Sequence, residues 1–211
     1  MALTEPIRDP ADVYRFLNYF KTQNHPRNYV LAAFGVHTAL RISDILNLTT
    51  SDVYDFAKGT PRKTITITEK KTKKPKIIAL NKTIIAALKM YLPYAAPGAP
   101  LMLNPQTGKA ISRIQAYRII RSAAEATGIS HPVSCHSLRK TFGYHAFKNG
   151  ISPVIIMRIY NHSSMHITQR YLGLQQDHLN TAYLNMDFTT MQNSRKMSQW
   201  TDFSSFNIFR Q

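Results

Sequence analysis

The chain has 211 residues, enough for one substantial hydrophobic core, and 44% of them are hydrophobic. It carries 27 Lys and Arg residues against 11 Asp and Glu residues, a formal net charge of +16, and this excess favours a polyanionic partner. No apolar run approaches the roughly 18 residues of a transmembrane helix, no hydrophobic signal segment opens the chain, and its single cysteine excludes an internal disulfide framework.

The first 40 residues predict a pair of helices. Asp9 as N-cap and Pro10 as the first helical residue are typical of a helix start, and the apolar residues that follow recur at the spacing of one helix face. A second helix, over residues 28–40, is richer in apolar residues and is expected to be buried. Ser43 then predicts the cap of a short third helix.

A β-hairpin is predicted next. The strict alternation of Thr and Ile over Thr64–Thr68 predicts a strand with one buried face, and residues 76–80 form its expected partner. Residues 69–75 form a basic turn between the strands. Pro75 lies where the second strand should start, a position at which its missing N–H matters least.

Helices dominate the remainder. Cap and stop residues predict helices over residues 81–92, 112–127, 137–148 and from 153 onward, and Ser164 predicts the cap of a last helix that carries Tyr171. The helix at 112–127 is basic; such a helix can lie on a membrane, but its place within a series of helices favours one face of a folded domain. The predicted fold class is therefore α+β, a mostly helical domain with a small antiparallel sheet near residues 64–80.

Side chains suited to phosphate chemistry cluster late in the chain. His136, Arg139, His162 and Tyr171 lie within 36 residues, and Arg41 lies far upstream. Arginine binds two phosphate oxygens at once and stays charged, histidine transfers protons, and a tyrosine phenol can act as a nucleophile. Together these residue types suit the attack of a phenol on a phosphodiester.

Three segments together resemble the tyrosine recombinase (phage integrase) family. Residues 41–48 (RISDILNL) resemble its first arginine box, residues 136–139 (HSLR) its H-x-x-R motif, and residues 161–171 its G-H-S-S…T-x-x-Y ending, with Thr168 included. Each segment alone is a weak signal, but their order and separations match over about residues 10–175. Asn161 departs from the pattern, because the family often has glycine there.

The resemblance implies a role for each matching residue. Tyr171 would attack the scissile phosphate and form a 3′-phosphotyrosyl bond, and this would free a 5′-hydroxyl. Arg41 and Arg139 would hold the non-bridging oxygens. His136 would assist proton transfer at the nucleophile, and His162 would hydrogen-bond the phosphate.

The family's hairpin lysine, which protonates the leaving 5′ oxygen, falls in residues 70–76. Lys71 is preferred because it stands where the first strand should end, and Lys70 and Lys73 are close rivals. Asp44 matches the acidic position that supports the site. No metal or other cofactor is implied, since the phosphotyrosyl bond retains the energy of the broken bond.

The implied function is a site-specific DNA recombinase of the integrase or invertase type, of prokaryotic or phage origin, which is cytoplasmic and DNA-associated. Its expected partners are double-stranded DNA and further copies of itself, as a tetramer on two DNA sites, with no membrane. Two alternatives stay open: a catalytically silent DNA-binding regulator on the same fold, and a DNA-relaxing enzyme of the type IB topoisomerase kind. A zinc site on His162 and His166 is disfavoured because no third ligand stands in register.

Residues 1–175 are predicted to form the catalytic domain and residues 176–211 a C-terminal tail. Only 40 residues precede Arg41, so we expect the family's separate N-terminal DNA-binding domain to be absent, as in a recombinase that has only the catalytic domain or in a fragment of one. Phe203, Phe206 and Phe209 recur every three residues in the tail. Two interpretations remain open: that the tail docks on a neighbouring protomer, or that it packs on its own domain.

Overall fold

The computed structural model describes residues 4–69, 75–92, 95–172 and 183–184. Residues 1–173 form one compact unit; of the second, residues 174–211, only Tyr183 and Leu184 are described, and both are exposed. None of the described helices is long and apolar enough to cross a membrane. The described elements are, in chain order, α1 (Pro10–Thr22), α2 (Pro26–His37), α3 (Ile42–Leu46), α4 (Thr50–Val53), β1 (Tyr54–Asp55), β2 (Thr60–Pro61), β3 (Thr64–Thr68), β4 (Pro75–Ala79), α5 (Lys82–Tyr91), α6 (Arg113–Ala126), α7 (Cys135–Lys148), α8 (Pro153–Tyr160) and α9 (Met165–Leu172).

Helix α2 lies at the centre of the first unit, packed against α1, α5 and α7. Its residues from Tyr29 to Val36 are all buried. The approach to α7 is close, because a Cβ added at Gly35 would stand 2.6 Å from Leu138 Cδ1. This central helix therefore sets the position of α7, the helix that carries His136 and Arg139.

The predicted hairpin is present. Strands β3 and β4 pair antiparallel, from Thr64 opposite Ala79 to Thr68 opposite Pro75. Ile65 and Ile67 are buried while Thr64, Thr66 and Thr68 are exposed, as the alternation predicts. Strand β4 begins at Pro75, where the second strand was expected to start, and ends at Ala79, one residue before the predicted 80. The small β1–β2 pair was not predicted, because two-residue strands carry no readable alternation.

The prediction that the second helix runs to residue 40 was wrong, since α2 ends at His37. The Thr38 hydroxyl donates to the Phe34 carbonyl at 2.6 Å, and Ala39 then adopts a left-handed backbone with φ 56°. The turn directs the Ala39 carbonyl to Arg139, whose guanidinium donates to it. A contact 100 residues away in sequence thus ends a helix that the local pattern would continue.

Helix starts were predicted well where a side-chain cap acts locally. The predicted caps Asp9, Asn81 and Ser152 each accept a backbone N–H, as does Ser112, and Gly128 ends α6 with φ 72°. Three starts were wrong: α2 begins at Pro26 rather than at 28, Arg41 rather than Ser43 is the N-cap of α3, and α7 begins at Cys135 behind a Ser134 cap rather than at 137.

Candidate active site

Arg41 stands at the junction between α2 and α3. Its carbonyl accepts the N–H groups of Asp44 and Ile45 at 2.9 and 3.1 Å, which starts α3 and fixes the backbone. Its side chain is 22% exposed, and Nη1 donates to Oε2 of Glu69 at 3.0 Å. Asp44, the predicted supporting residue, is buried in the first turn of α3.

Arg139 is held almost completely out of solvent in α7. Its guanidinium donates to the carbonyl of Ala39 and, at 2.9 Å, to that of Tyr160. The Tyr160 ring lies 4.5 Å below the guanidinium carbon, and its hydroxyl donates to the Arg139 carbonyl at 2.6 Å. Gly143 makes room for this ring, because a Cβ there would stand 2.3 Å from the Tyr160 hydroxyl. Tyr160 and Arg139 therefore hold each other in place.

His162 follows the turn that ends α8. Asn161, where the family often has glycine, adopts the left-handed backbone that glycine favours (φ 53°, ψ 40°), and asparagine tolerates this conformation better than most residues. The His162 ring stacks on Tyr160 with centroids 4.9 Å apart. Its Nδ1 lies 3.1 Å from the hydroxyl of the buried Thr168 in α9. Tyr171 follows Thr168 by three residues in the same helix.

The pKa of His162 is lowered to about 4 by desolvation and then by the charges of Arg139 and Arg41, with Glu69 opposing them. Desolvation likewise lowers the pKa of His136 to about 4, and Lys140, Arg139 and Arg41 act in the same direction. Both imidazoles are consequently neutral at physiological pH. The same two arginines act electrostatically on both rings, so the four side chains lie near one another, and the region that they share is called the cationic space below.

Lys76 belongs to the same space. Its Nζ donates to the Ile159 carbonyl at 2.6 Å and lies 3.9 Å from Oε1 of Glu69. Burial lowers the pKa of Lys76 to about 8; Glu69 and Asp44 oppose this shift, and the two arginines reinforce it. A lysine of this kind remains largely protonated at neutral pH, yet releases a proton more readily than one in water.

The structure brings four of the predicted catalytic residues together: Arg41, His136, Arg139 and His162. Tyr171 lies in α9, and its side chain is outside the described part of the structure. Lys71, with its rivals Lys70 and Lys73, lies outside the described residues, as do the tail phenylalanines. Within the described ranges, no group of three or more His, Cys, Asp or Glu side chains is placed to hold a metal ion.

Sequence reasoning missed Glu69 and Tyr160. A signal existed for Glu69, because the alternation that buries Ile65 and Ile67 places residue 69 on the same inward face. No comparable signal existed for Tyr160, since its role depends on how α8 packs against α7.

Known proteins resemble this chain in sequence and in fold. The model of the phage integrase family matches residues 8–178. The probable integrase/recombinase YoeC of Bacillus subtilis is 38% identical over 183 residues, which cover 87% of this chain and 97% of YoeC. The tyrosine recombinase XerD of Chlorobaculum tepidum is 26% identical over 71% of this chain, and the match covers only 49% of XerD.

Among solved structures, the Tn1549 transposon integrase in complex with transposon right end DNA shares the fold. Its TM-score is 0.66 at 18% identity, over 84% of this chain and 64% of the integrase. The predicted α+β fold is thus confirmed. Given the family match over most of its length and its similarity to YoeC, the chain belongs to the phage integrase family, the tyrosine-type site-specific recombinases.

Proposed function

We propose that this recombinase cuts and rejoins DNA strands through a 3′-phosphotyrosyl intermediate on Tyr171. One observation carries the proposal: Thr168 contacts His162 from the helix that also carries Tyr171, and Arg41 and Arg139 lie close enough to act electrostatically on the same His162 ring. Two arginines and a neutral histidine N–H are donors suited to the two non-bridging oxygens of a phosphodiester.

The Tyr171 phenol oxygen attacks phosphorus, the P–O bond to the 5′ oxygen breaks, and the strand's 3′-phosphate stays on the enzyme. The phenol proton leaves through His136, and a lysine supplies a proton to the departing 5′-hydroxyl. Rejoining is the same sequence reversed, with the 5′-hydroxyl of the partner strand as nucleophile. One P–O bond is exchanged for another at each step, so the sequence requires no external energy source.

His136 suits the role of proton acceptor because its ring is neutral in the DNA-free site. Desolvation is the largest cause of its lowered pKa, and the charges of three cations, Lys140, Arg139 and Arg41, lower it further. A bound phosphodiester brings a negative charge that offsets these cations, so the basicity of His136 rises when substrate is present. The proton acceptor is therefore strongest when DNA occupies the site.

The acid is a hairpin lysine. The family pattern places it within residues 70–76, where Lys71 is preferred over its rivals Lys70 and Lys73, and Lys76 is the described lysine that lies beside Glu69 in the cationic space. A DNA strand whose scissile 5′-bridging oxygen is replaced by sulfur distinguishes them, because a thiolate leaves without a proton. Replacing the true acid with alanine should slow cleavage of the oxygen substrate but not of the sulfur substrate. We expect Lys71→Ala to behave in this way. If only Lys76→Ala cleaves the sulfur substrate at the wild-type rate while cleaving the oxygen substrate slowly, Lys76 is the acid.

Double-stranded DNA is the proposed substrate. The net charge of +16 supports a polyphosphate partner, and the Tn1549 integrase of similar fold is in complex with DNA. Helix α6 buries Ala116 and Ile120 and exposes Arg113, Arg118 and Arg121, so it offers a basic face for phosphate contacts. Arg121 already pairs with Glu125 in the same helix, which leaves Arg113 and Arg118 as the stronger candidates.

We further propose that four protomers act on two DNA sites. The support is stoichiometric: exchange of two duplexes cuts four strands, and each cut uses one Tyr171. Recombinant product from a plasmid with two sites would support this assembly, whereas relaxation of supercoils without recombinants would support a topoisomerase-like enzyme.

The chemistry is tested with a suicide substrate in which a nick beside the cleavage site lets the short 5′ product diffuse away. Wild-type protein should accumulate a covalent protein–DNA adduct that is visible by denaturing electrophoresis. Tyr171→Phe should bind the same DNA and form none. An adduct with this variant would place the nucleophile elsewhere, and no adduct with wild type would favour a silent DNA-binding regulator.

A further inference from the structure

Glu69 is a carboxylate at a position built for an apolar side chain. It continues the inward face of β3 after Ile65 and Ile67, and its side chain is completely buried. A buried carboxylate costs free energy unless cations neutralise it. Glu69 is therefore expected to be paired with cationic side chains.

Both of its oxygens face cations of the proposed site. Oε2 accepts from Nη1 of Arg41 at 3.0 Å, and Oε1 lies 3.9 Å from Nζ of Lys76. Lys76 in turn donates to the Ile159 carbonyl, and the next carbonyl, that of Tyr160, accepts from Arg139. Glu69 thus ties the hairpin, the start of α3 and the end of α8 together at one point.

The geometry of Arg41 allows its guanidinium to bind the Glu69 carboxylate and still donate to a phosphate. A guanidinium carries five N–H donors in a planar fork. Glu69 engages Nη1, and the Arg41 side chain remains 22% exposed, so donors are left for a phosphate. The hydrogen bond from Nη1 to Glu69 also restricts rotation of the Arg41 guanidinium group.

We propose that Glu69 is a positioning residue and internal counter-ion of this site, which holds Arg41 and Lys76 in the geometry for cleavage and partly neutralises them until a phosphodiester enters. The inference rests on the proposed phosphotyrosyl chemistry. Glu69 touches no reacting atom; it acts through Arg41 and Lys76.

This role predicts effects on binding and on cleavage that differ in direction. Glu69→Gln keeps the shape and removes the negative charge, so DNA affinity should equal that of wild type or exceed it by up to about tenfold. Arg41 loses its charged anchor, so single-turnover adduct formation on the nicked substrate should slow by about 10- to 100-fold. A purely structural role would instead lower affinity and cleavage together.

Asp12→Asn is the matched control. It also removes one negative charge, but from an exposed pair with Arg15 in α1, and both affinity and cleavage should stay at wild-type values. Glu69→Asp keeps the charge on a side chain about 1.5 Å shorter and should recover part of the cleavage rate.

The measurements are DNA affinity by fluorescence anisotropy and adduct formation in single turnover. Cleavage by Glu69→Gln at the wild-type rate, or affinity lost in proportion to cleavage, would overturn the proposal. If Glu69→Gln does not fold, Glu69→Asp decides: cleavage several-fold slower at unchanged affinity supports positioning, and wild-type cleavage refutes it. Failure of wild type to form any adduct would instead refute the proposed function.

Discussion

The contact between Gly143 and Tyr160 leads to a prediction about Gly143→Ala. The new Cβ would stand 2.3 Å from the Tyr160 hydroxyl and 3.0 Å from two ring carbons, whereas real Cβ contacts below 3.0 Å are essentially never seen. Tyr160 has no exposed surface and donates to Arg139, so it cannot swing into solvent. The ring must therefore move by about 0.7 Å or more.

The energetic cost has two opposing parts. Overpacking a well-filled core costs about 1–3 kcal/mol, and the weakened hydroxyl bond adds to it, while alanine is the better helix former by about 1 kcal/mol. We expect a net destabilisation of about 1–2 kcal/mol, or a fall in Tm of roughly 2–8 °C for a chain of this size. Because Tyr160 also positions Arg139 and His162, adduct formation on the nicked substrate should slow by about 10- to 100-fold.

The compensating variant makes this prediction specific. Tyr160→Phe removes the oxygen that the new Cβ would meet at 2.3 Å, so Gly143→Ala combined with Tyr160→Phe should be less destabilised than the sum of the two single changes. Thermal unfolding and single-turnover cleavage measure both effects. Additive losses in the double variant, or wild-type cleavage by Gly143→Ala, would refute the reasoning.

Three further predictions concern the turn, the basic face and the histidines. At Asn161, glycine should keep wild-type stability and alanine should cost about 1 kcal/mol by denaturant unfolding, because the backbone is left-handed there; equal effects would contradict this. Arg118→Ala should reduce the slope of log affinity against log salt by about 1, and Arg15→Ala, in a different helix, should leave it unchanged. In the unfolded chain, His136 and His162 have a pKa near 6.5, whereas in the folded protein their pKa is about 4. Between these values the unfolded state binds more protons than the folded state, so the free energy of unfolding should fall as pH drops from about 6.5 towards 4. His136→Gln should flatten that fall, and an unchanged slope would argue against a lowered pKa.

The parts of the fold that could be predicted are those fixed by neighbouring residues. The caps at Asp9 and Asn81 act within three residues, and the Ile65 and Ile67 alternation is a property of one strand. The family prediction is confirmed by the match over residues 8–178. It could be made from the sequence because the motifs are short segments whose order can be read along the chain. Local patterns gave the wrong end for α2. The helix ends at His37 because the following turn presents the Ala39 carbonyl to Arg139, and this contact between distant residues cannot be read from the local sequence.

The residue roles of the site were predicted by resemblance and remain predictions, but the structure adds what the motifs omit. The motifs name Arg139 and His162 as separate positions 23 residues apart in sequence. Tyr160 joins them, since its carbonyl binds the arginine and its ring stacks on the histidine. Such a link depends on α8 crossing α7 at Gly143, and no spacing rule contains that crossing.

Charge balance explains why the site can wait for DNA without losing its shape. Cations from Arg41, Arg139 and Lys76 are offset in part by the buried carboxylates of Glu69 and Asp44, while both histidines stay neutral because their pKa values are lowered to about 4. Three cations less two carboxylates leave these five groups with a formal charge of +1, which is opposite in sign and equal in magnitude to the charge of one phosphodiester. Under the proposed mechanism, a bound phosphodiester offsets this charge, raises the basicity of both imidazoles and prepares His136 to accept the phenol proton. Under the proposed mechanism, the charge that attracts the substrate therefore adds to the desolvation that lowers the pKa of the proton acceptor His136 until the substrate arrives.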